Sequence, residues 1–297
     1  YNIFMIIIVY LFMLIMISLL VYLCTLNTIF CVIIIILTII FLILLLMSHV
    51  KFEINRFDIV SSKIDKNIKI MLMSDMHNRD ISERIVKAIS EEKPDYIIMS
   101  GDMINESIKY TKNFIKLLDK IDSDKIYYTF GNHEDELSET DKEEYYKILK
   151  KYKINLLNNK SVKLSNNIIL SGIDIPYDFY KFMGKKITKK DMSEYLNKCE
   201  IDKYNILVAH NPLWNEYYKE FNYDLCLSGH VHGGMFRFPF IGGILSPDYK
   251  FFPKYTKGKY KVGDMTSIVS CGLGYSKRIK MRILNPGEVV IINLLKK

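Results

Sequence analysis

The chain has 297 residues, with 41 lysines and arginines against 33 aspartates and glutamates, for a formal net charge of +8. All of these charged residues lie after position 50, and the 247 residues that follow are ample for one large domain or two small ones. The five cysteines show neither metal-ligand spacing nor an even disulfide set, which excludes a cysteine-based metal or disulfide scaffold.

Residues 1–50 contain two apolar runs, about residues 3–24 and 29–47, separated by a short polar break. Each run approaches the roughly 20 residues that a helix needs to cross a bilayer. A buried core helix would rarely repeat such a run, and a cleaved signal peptide would need a basic start and a shorter apolar core. The pattern predicts a transmembrane hairpin over 1–50 and a multi-pass protein of the cell membrane. The chain begins at Tyr1 rather than Met, so further residues could precede it.

The positive charges after the second run indicate on which side of the membrane the rest of the chain lies. Lys51, Arg56, Lys63, Lys66 and Lys69 follow that run closely, while the connection between the runs carries no charge. The positive-inside rule then favours a cytoplasmic soluble part. Residues upstream of the first position could reverse this balance, so both sides stay open.

Residues 51–297 alternate between strand-like and helix-like segments. Six short β-rich runs occupy 68–74, 95–101, 125–131, 167–173, 204–210 and 224–230. Helix-like segments at 82–92 and 108–121 have apolar residues at three- and four-residue spacing, so the rhythm predicts an α/β sheet. Two later strands, 266–272 and 288–294, follow one another without a helix between them, which favours a second sheet packed on the first.

Residues able to bind a metal follow five of these strands directly. They are Asp75, His77, Asp102, Asn132, His133, His210, His230 and His232. Because sites in open α/β sheets form at the carboxyl ends of strands, the five loops are expected to converge on one crevice. Taken singly, an aspartate there is often a helix cap and a histidine a hydrogen-bonded loop residue. Five of the six histidines fall in this position, however, and such oxygen and nitrogen donors suit manganese, iron or zinc.

The last strand is followed by two histidines one residue apart. Side chains two positions apart in an extended segment share a face, so His230 and His232 are expected to point to the same side. Gly229 would permit close approach of the backbone, and Gly233 and Gly234 a sharp exit.

The ordered blocks resemble the signature of a known family. Asp75-x-His77, Gly101-Asp102, Gly131-Asn132-His133-Glu134, His210 and Gly229-His230-x-His232 are similar to the five blocks of the calcineurin-like metallophosphoesterases. The segments GHVHGGMFRFPFIGG, PKYTKGKY and SCGLGYSKRIKMR resemble the membrane-associated YkuE-like bacterial branch. The resemblance covers nearly all of 51–297. It implies one α/β (α+β) metallophosphoesterase domain over those residues, built as a two-sheet β-sandwich flanked by helices.

The resemblance also implies a role for each candidate residue. One divalent ion (Mn²⁺, Fe²⁺, Zn²⁺ or Co²⁺) would be held by Asp75, His77 and His232. A second ion would be held by Asn132, His210 and His230, with Asp102 shared between the two. His133 would lie beside the leaving group, as proton donor or as stabiliser of phosphoryl charge.

These roles imply a reaction. Two ions roughly 4 Å apart could activate a hydroxide for in-line attack on a phosphomonoester or phosphodiester. Asn105 and Met235 depart from the family pattern, which is expected to bear on substrate choice rather than on catalysis.

Aromatic and basic residues interleave in the segments MFRFPFIGG and YKFFPKYTKGKY. One interpretation is an ordinary loop with a basic edge. The other is an interfacial lip whose aromatic rings enter the bilayer while cations, Arg237 and Lys254 among them, bind the substrate phosphate. A lip beside a membrane anchor favours a phospholipid or lipid-linked phosphoester as substrate and the bilayer as a partner.

Two other functions compete with this prediction. A nuclease or cyclic-nucleotide phosphodiesterase would use the same chemistry, and the basic charge favours it, but no base-stacking or groove-reading motif is present, so no specific nucleic acid is expected. A non-catalytic membrane-bound binding module would keep the fold. The complete ligand set with His133 argues against it, because folding alone does not require those residues.

Overall fold

The computed structural model describes residues 13–22, 28–181, 184–275 and 282–297. The chain divides into two units between Met47 and Ser48. Helix α1 covers Met13–Tyr22, and helix α2 covers Thr28–Val50 without a single Asp, Glu, Lys or Arg. Among the residues described, α2 is the one helix long and apolar enough to cross a membrane. The second predicted span therefore forms a helix of sufficient length. The first is observed only as the ten residues of α1, since the rest of it lies outside the described ranges.

The first sheet of the larger unit has six strands. They are β1 (Phe52–Ser61), β2 (Ile68–Met73), β3 (Tyr96–Met99), β4 (Ile126–Tyr128), β5 (Asn155–Leu156) and β14 (Gly287–Lys296). Their order is β1-β14-β2-β3-β4-β5. The run β2-β3-β4-β5 is parallel, and β14 lies antiparallel to β2 and parallel to β1.

The second sheet also has six strands. They are β6 (Lys160–Lys163), β7 (Ile168–Ile173), β8 (Tyr204–Ala209), β9 (Leu225–Ser228), β12 (Gly258–Val262) and β13 (Met265–Val269). Their order is β12-β13-β9-β8-β7-β6, with β7, β8, β9 and β13 parallel. A separate small ribbon pairs β10 (Arg237–Phe238) with β11 (Gly242–Gly243).

The larger unit also contains six α-helices among the residues that the structure describes. They are α3 (Ser82–Glu92), α4 (Lys112–Leu118), α5 (Asn132–Asp135), α6 (Glu139–Lys151), α7 (Lys189–Tyr195) and α8 (Asn215–Tyr218). Single 3₁₀ turns occupy Ile108–Tyr110, Ser123–Lys125, Tyr177–Phe179, Pro212–Trp214, Lys219–Phe221 and His232–Gly234. Helix α3 has the predicted bounds. The segment predicted as a helix over 108–121 is instead a 3₁₀ turn followed by the shorter α4.

Strand β2 shows how the layers are held together. Successive side chains in a strand point to opposite faces. Ile70 and Leu72 enter an apolar core shared with the second sheet, while Met71 and Met73 enter a core shared with α3, α4 and α6. A third core lies between the second sheet and the helices α7 and α8. The predicted two-sheet sandwich flanked by helices is confirmed.

The predicted grouping of the last two strands is wrong. Strand β13 joins the second sheet beside β9, but β14 enters the middle of the first sheet between β1 and β2. All but its last few side chains are buried, as both faces of a central strand must be. Strand β1 was not predicted, because its polar and apolar residues mix on the exposed edge of that sheet.

The core between the sheets leads to a test of stability. Ile206 is fully buried there, whereas Ile201 is 72% exposed in the loop before β8. We expect Ile206→Ala to lower the free energy of unfolding by about 2–5 kcal/mol, since it leaves a cavity between well-packed sheets. Ile201→Ala, the matched control, is expected to change it by less than about 0.5 kcal/mol. Urea-induced unfolding in detergent measures both, and equal effects would contradict this assignment of the core.

Candidate metal centre

The carboxyl ends of strands from both sheets meet at one edge of the sandwich. Strands β2, β3 and β4 run parallel in the first sheet, and β8 and β9 run parallel in the second. The five loops that follow them carry the predicted ligands. The crevice is therefore built from the ends of two facing sheets, not from a single open sheet.

The first group of ligand atoms comprises Asp75, His77 and His232, whose donor atoms all lie within 4.8 Å of one another. Nε2 of His77 and Nε2 of His232 are 3.2 Å apart, and Oδ1 of Asp75 is 3.6 Å from Nε2 of His232. Loops after strands of both sheets thus supply this group.

The second group comprises Asp102, His210 and His230. Nε2 of His210 lies 3.1 Å from Oδ2 of Asp102 and 3.2 Å from Nδ1 of His230. The same Oδ2 of Asp102 is 3.9 Å from Nε2 of His77 in the first group. Asp102 therefore lies between the two groups, where a shared ligand would have to be.

The short helix α5 brings two further predicted residues to the crevice. Oδ1 of Asn132 is buried and has no hydrogen-bond partner among the residues described. Nε2 of His133 lies 3.9 Å from Oδ2 of Asp102, and its Nδ1 lies 3.6 Å from carboxylate oxygens of both Glu106 and Glu136.

Backbone conformation in these loops is unusual. Five of the seven predicted ligands have positive φ angles: Asp75 (49°), His77 (47°), Asp102 (55°), His230 (66°) and His232 (49°). Residues other than glycine seldom adopt this left-handed region, because the Cβ atom crowds the backbone. Such strain persists only where the surrounding structure enforces it, and it concentrates at functional sites.

The expectation that His230 and His232 share a face of an extended segment is wrong. Val231 has φ −80° and ψ −5°, and both histidines have left-handed φ angles, so the chain turns between them. The turn directs His230 to one group and His232 to the other. Gly229 acts as predicted, because a Cβ at this position would lie 2.5 Å from Cβ of Ser74 and would also overlap the carboxylate of Asp75.

The buried carboxylate of Glu134, for which no role was predicted, organises two of the loops. Oε2 of Glu134 accepts hydrogen bonds from the backbone N–H groups of Gly131 (2.8 Å) and Asp102 (2.9 Å). Its Oε1 accepts from Met103 (2.8 Å) and Ile104 (3.2 Å). Glu134 therefore ties the loop after β3 to the loop after β4. Its position three residues after Gly131, at the start of a helix, is the signal that could have revealed this role.

Three of the four candidate histidine ligands have a partner for the ring nitrogen that faces away from the group. Nδ1 of His77 pairs with Oδ1 of Asn105 (3.0 Å), and Nδ1 of His210 with the carbonyl of Ser100 (2.7 Å). Nε2 of His230 pairs with Oδ2 of Asp248 (3.1 Å). Each acceptor favours a proton on the outer nitrogen, so in the neutral imidazole the lone pair is on the inner nitrogen, where a metal can take it. Asn105 thus orients a candidate ligand.

Burial and charge set the protonation of the crevice. Burial, with the nearby His133, lowers the pKa of His77 to about 3. Burial alone would lower the pKa of His210 and raise that of Asp102. Their mutual attraction instead raises the pKa of His210 to about 10 and holds the pKa of Asp102 well below its usual range. Burial raises the pKa of Asp75.

The guanidinium group of Arg282 lies beside the ring nitrogen of His232 that faces away from the other ligand atoms. Arg282 is almost completely buried, and its Nη2 lies 3.2 Å from Nδ1 of His232 and 2.6 Å from the carbonyl of Cys271. Burial first, and then the charges of His77 and Arg282, lower the pKa of His232 well below its usual value. His232 is therefore neutral, which is the form that binds a metal.

The chemistry of these donors fits divalent cations. Two carboxylates, four imidazoles and one amide oxygen are the ligand types of borderline metal ions. Oδ1 of Asn132 is buried and has no donor among the described residues. A buried lone pair without a donor is costly, and a bound cation would remove that cost.

A cavity opens at the two groups, and other side chains that the sequence did not single out complete its wall. It is lined by Asp102, Asn132, His133, Glu136, Tyr177, Tyr180, His230, His232, Pro247 and Asp248. Tyr177, Tyr180 and Asp248 were not predicted, because they come from loops that only the tertiary fold brings here, and Glu136, at the end of α5, was not assigned a role.

The two predicted substrate-binding cations do not line this cavity. Nη1 of Arg237 donates to Oγ1 of Thr256 (3.0 Å), and Nζ of Lys254 pairs with Glu216 (2.6 Å). Both side chains are thus committed to local contacts, and the structure does not bring them together with the candidate ligands.

A family model described as calcineurin-like phosphoesterase matches residues 68–234, which is more than half of the chain. The chain belongs to the calcineurin-like phosphoesterase family. The matched segment includes every predicted ligand, and it identifies residues 68–234 as a calcineurin-like phosphoesterase domain. The predicted family and enzyme class are confirmed.

Three relatives illustrate the similarity. An uncharacterized metallophosphoesterase of Helicobacter pylori is 33% identical over 260 residues, covering 82% of this chain and 64% of that protein. The uncharacterized metallophosphoesterase YkuE of Bacillus subtilis is 27% identical over 239 residues, covering 76% and 78%. A Danio rerio protein named as a transmembrane protein with metallophosphoesterase domain is 28% identical over 244 residues, covering 76% and 53%. The chain therefore spans less than two thirds of the Helicobacter protein.

Glu134 provides a test of how the loops are held. We expect Glu134→Gln to lower the free energy of unfolding by on the order of 3 kcal/mol, because an amide NH₂ would face two backbone N–H donors. Affinity for Mn²⁺ should fall roughly 10–100-fold as the loop of Asp102 loosens. Urea unfolding and calorimetric titration measure these effects. Glu139→Gln, on an exposed side chain at the start of α6, is the control; equal behaviour of the two variants would refute the role.

Proposed function

We propose that the protein hydrolyses a phosphomonoester or phosphodiester at the surface of a membrane, with two divalent cations held in the crevice. The observation that carries this proposal is the position of Asp102 between two separate groups of ligand atoms. A single cation would leave one group without a role, whereas two cations use all seven donors.

In this proposal Asp75, His77 and His232 would hold one cation and Asn132, His210 and His230 the other, with Asp102 available to both. Such cations, when bound, supply Lewis-acid chemistry that activates water and neutralises charge on a phosphoryl group. The protein's own contribution is to fix the donors in place, through the strained loops and the partners of the outer histidine nitrogens.

His133 is the proposed catalytic residue. Burial alone would lower its pKa, but the carboxylates of Asp102, Glu106 and Glu136 raise it above the usual value. A histidine with a raised pKa holds its proton more firmly, and in its protonated form it can donate that proton to the oxygen of the leaving group. The ring of Tyr180 packs edge-on against His230, with centroids 5.3 Å apart, and limits the access of water from that side.

The proposed membrane location rests on the apolar N-terminal segment. We propose that residues 1–50 form the anchor, with two spans, and that residues 51–297 form the catalytic domain. Helix α2 ends at Val50 and β1 begins at Phe52, so one residue separates the apolar helix from the catalytic fold. An enzyme tethered this closely favours substrates that themselves reside in the membrane, such as a phospholipid or a lipid-linked phosphoester.

Metal removal tests the proposed chemistry. The full chain in detergent, stripped with a chelator, should lose turnover of p-nitrophenyl phosphate and bis-p-nitrophenyl phosphate, and added Mn²⁺, Zn²⁺ or Co²⁺ should restore it. His230→Ala should prevent the restoration, and bound metal measured by mass spectrometry should rise to about two ions per chain in the wild type only. The control is His49→Ala, the one histidine outside the candidate set. Turnover that survives both the chelator and His230→Ala would refute the proposal.

Measurements of kcat and of metal content in a His133 variant distinguish a catalytic role of His133 from a role as a metal ligand. We expect His133→Ala to lower kcat by roughly 10²–10⁴-fold, as the loss of a general acid does, while the metal content stays at the wild-type value. An ester with a better leaving group should show a smaller loss, because it needs less protonation. If metal content falls together with kcat, His133 helps to hold the cations and the proposed role as acid is wrong.

A further inference from the structure

The catalytic fold exposes an unusual concentration of apolar side chains in one short stretch. Ten large apolar residues are exposed among the described residues after position 50, and six of them lie within residues 238–252. These six define the aromatic surface: Phe238, Phe240, Ile241, Tyr249, Phe251 and Phe252. Phe240 is fully exposed, and Phe251, Phe252 and Ile241 are each more than 60% exposed.

The aromatic surface is built on three short segments that lie side by side. Strand β10 pairs with β11, the N–H of Ile244 donates to the carbonyl of Phe236 (2.9 Å), and the N–H of Phe252 donates to the carbonyl of Ile244 (2.8 Å). The first turn carries Phe240 and Ile241 at its tip. Phe240, Tyr249 and Phe252 have φ angles of 67°, 59° and 49°, so the backbone is strained at three of the exposed rings.

The second turn of this unit reaches the metal cavity. It contains Pro247 and Asp248, which line the cavity, and Oδ2 of Asp248 lies 3.1 Å from Nε2 of His230. Tyr249 follows immediately and is exposed. The aromatic surface is therefore continuous along the chain with the wall of the candidate metal centre.

We propose that the aromatic surface docks on a lipid bilayer and holds the mouth of the metal cavity at the level of the headgroups. This inference rests on the proposed function and narrows its substrate to a phosphoester whose apolar part stays in the membrane. Aromatic side chains favour the boundary between headgroups and acyl chains, whereas an apolar surface of this kind is unfavourable in water. A bilayer is the occupant that fits, because α2 ends one residue before β1 and keeps the fold within reach of any membrane that α2 crosses.

Docking relies on the insertion of apolar side chains more than on the phosphate-binding cations predicted from the sequence. Lys254 pairs with Glu216, Lys257 with Glu53 and Glu288, and Arg237 hydrogen-bonds to Thr256. Lys250, between Tyr249 and Phe251, is exposed and makes no ion pair with a residue that the structure describes. Its charge is available to a lipid phosphate.

Depth-dependent quenching of tryptophan tests the docking directly. The chain has a single tryptophan, Trp214, which is buried, so Phe240→Trp adds one exposed probe. The full chain would be placed in nanodiscs of phosphatidylcholine and phosphatidylglycerol with or without brominated acyl chains. Since an interfacial aromatic lies ~5–10 Å into the headgroup boundary, the added emission should fall by on the order of half with brominated lipid.

A matched probe outside the surface serves as the control. Tyr146 on α6 is an exposed aromatic residue, and Tyr146→Trp should lose little emission with the same lipid. Phe251→Trp gives an independent position if Phe240→Trp fails to fold, and it should be quenched as Phe240→Trp is. Equal quenching at position 146 and at the aromatic surface, or none at either, would overturn the proposal. So would cross-linking between chains through Phe240→Cys without lipid quenching, since the surface would then join two copies of the protein.

Turnover of a soluble ester separates this inference from the proposed function. The double variant Phe238→Ser with Phe240→Ser should hydrolyse bis-p-nitrophenyl phosphate at the wild-type rate, because neither ring lines the cavity. Ile201→Ser, another exposed apolar residue, is the control for surface polarity. Quenching at position 240 in a protein that hydrolyses no ester would leave the docking standing and remove the proposed function. Hydrolysis without quenching would refute the docking and leave the proposed function standing.

Discussion

The burial of two carboxylates beside four imidazoles is the constraint on which the rest of the candidate site depends. Asp75 and Asp102 are almost completely buried, and removing such charges from water costs several kcal/mol each unless partners replace the water. Backbone groups supply part of the compensation: the N–H of His230 donates to the carboxylate of Asp75, and the N–H of His133 to Asp102. The conformations of the loops follow from these bonds, because an N–H can reach a carboxylate here only where the chain turns sharply.

The sandwich supplies the rigidity that such loops need. The apolar core between the sheets fixes the separation of β2 and β3 from β8 and β9, and therefore the distance between the loops that end them. Donors from opposite sheets meet within hydrogen-bonding distance, as His77 and His232 do at 3.2 Å. Five left-handed residues could not be held in place by the loops alone, so the strain is borne by the packing of both sheets.

The sequence predicted the parts of the site that local patterns encode. Each candidate ligand directly follows an apolar strand, so strand ends, parallel pairing and donor chemistry together were enough to locate Asp75, Asp102 and His210. The placement of β14 could not be predicted, because its partners β1 and β2 lie more than 200 residues away and strand pairing leaves no local mark. The contact of Asp248 with His230 could not be predicted either, because the turn that brings Asp248 back to the site carries no recognisable motif. The left-handed conformation of His230 after β9 could not be predicted, because its N–H donates to Asp75, in the loop after a strand of the other sheet.

The position of the aromatic surface follows from the same architecture. The carboxyl ends of the strands form the edge of the sandwich that opens to the surroundings, and the small ribbon of β10 and β11 is inserted in the chain directly after the last ligand, His232. An insertion at this point must lie near the cavity, and its turn with Asp248 does contact His230. Exposed rings on strained backbone at such a place lower the stability of the free protein in water, so selection for stability alone would not keep them. A surface that gains free energy only on meeting lipid accounts for both their exposure and their nearness to the ligands.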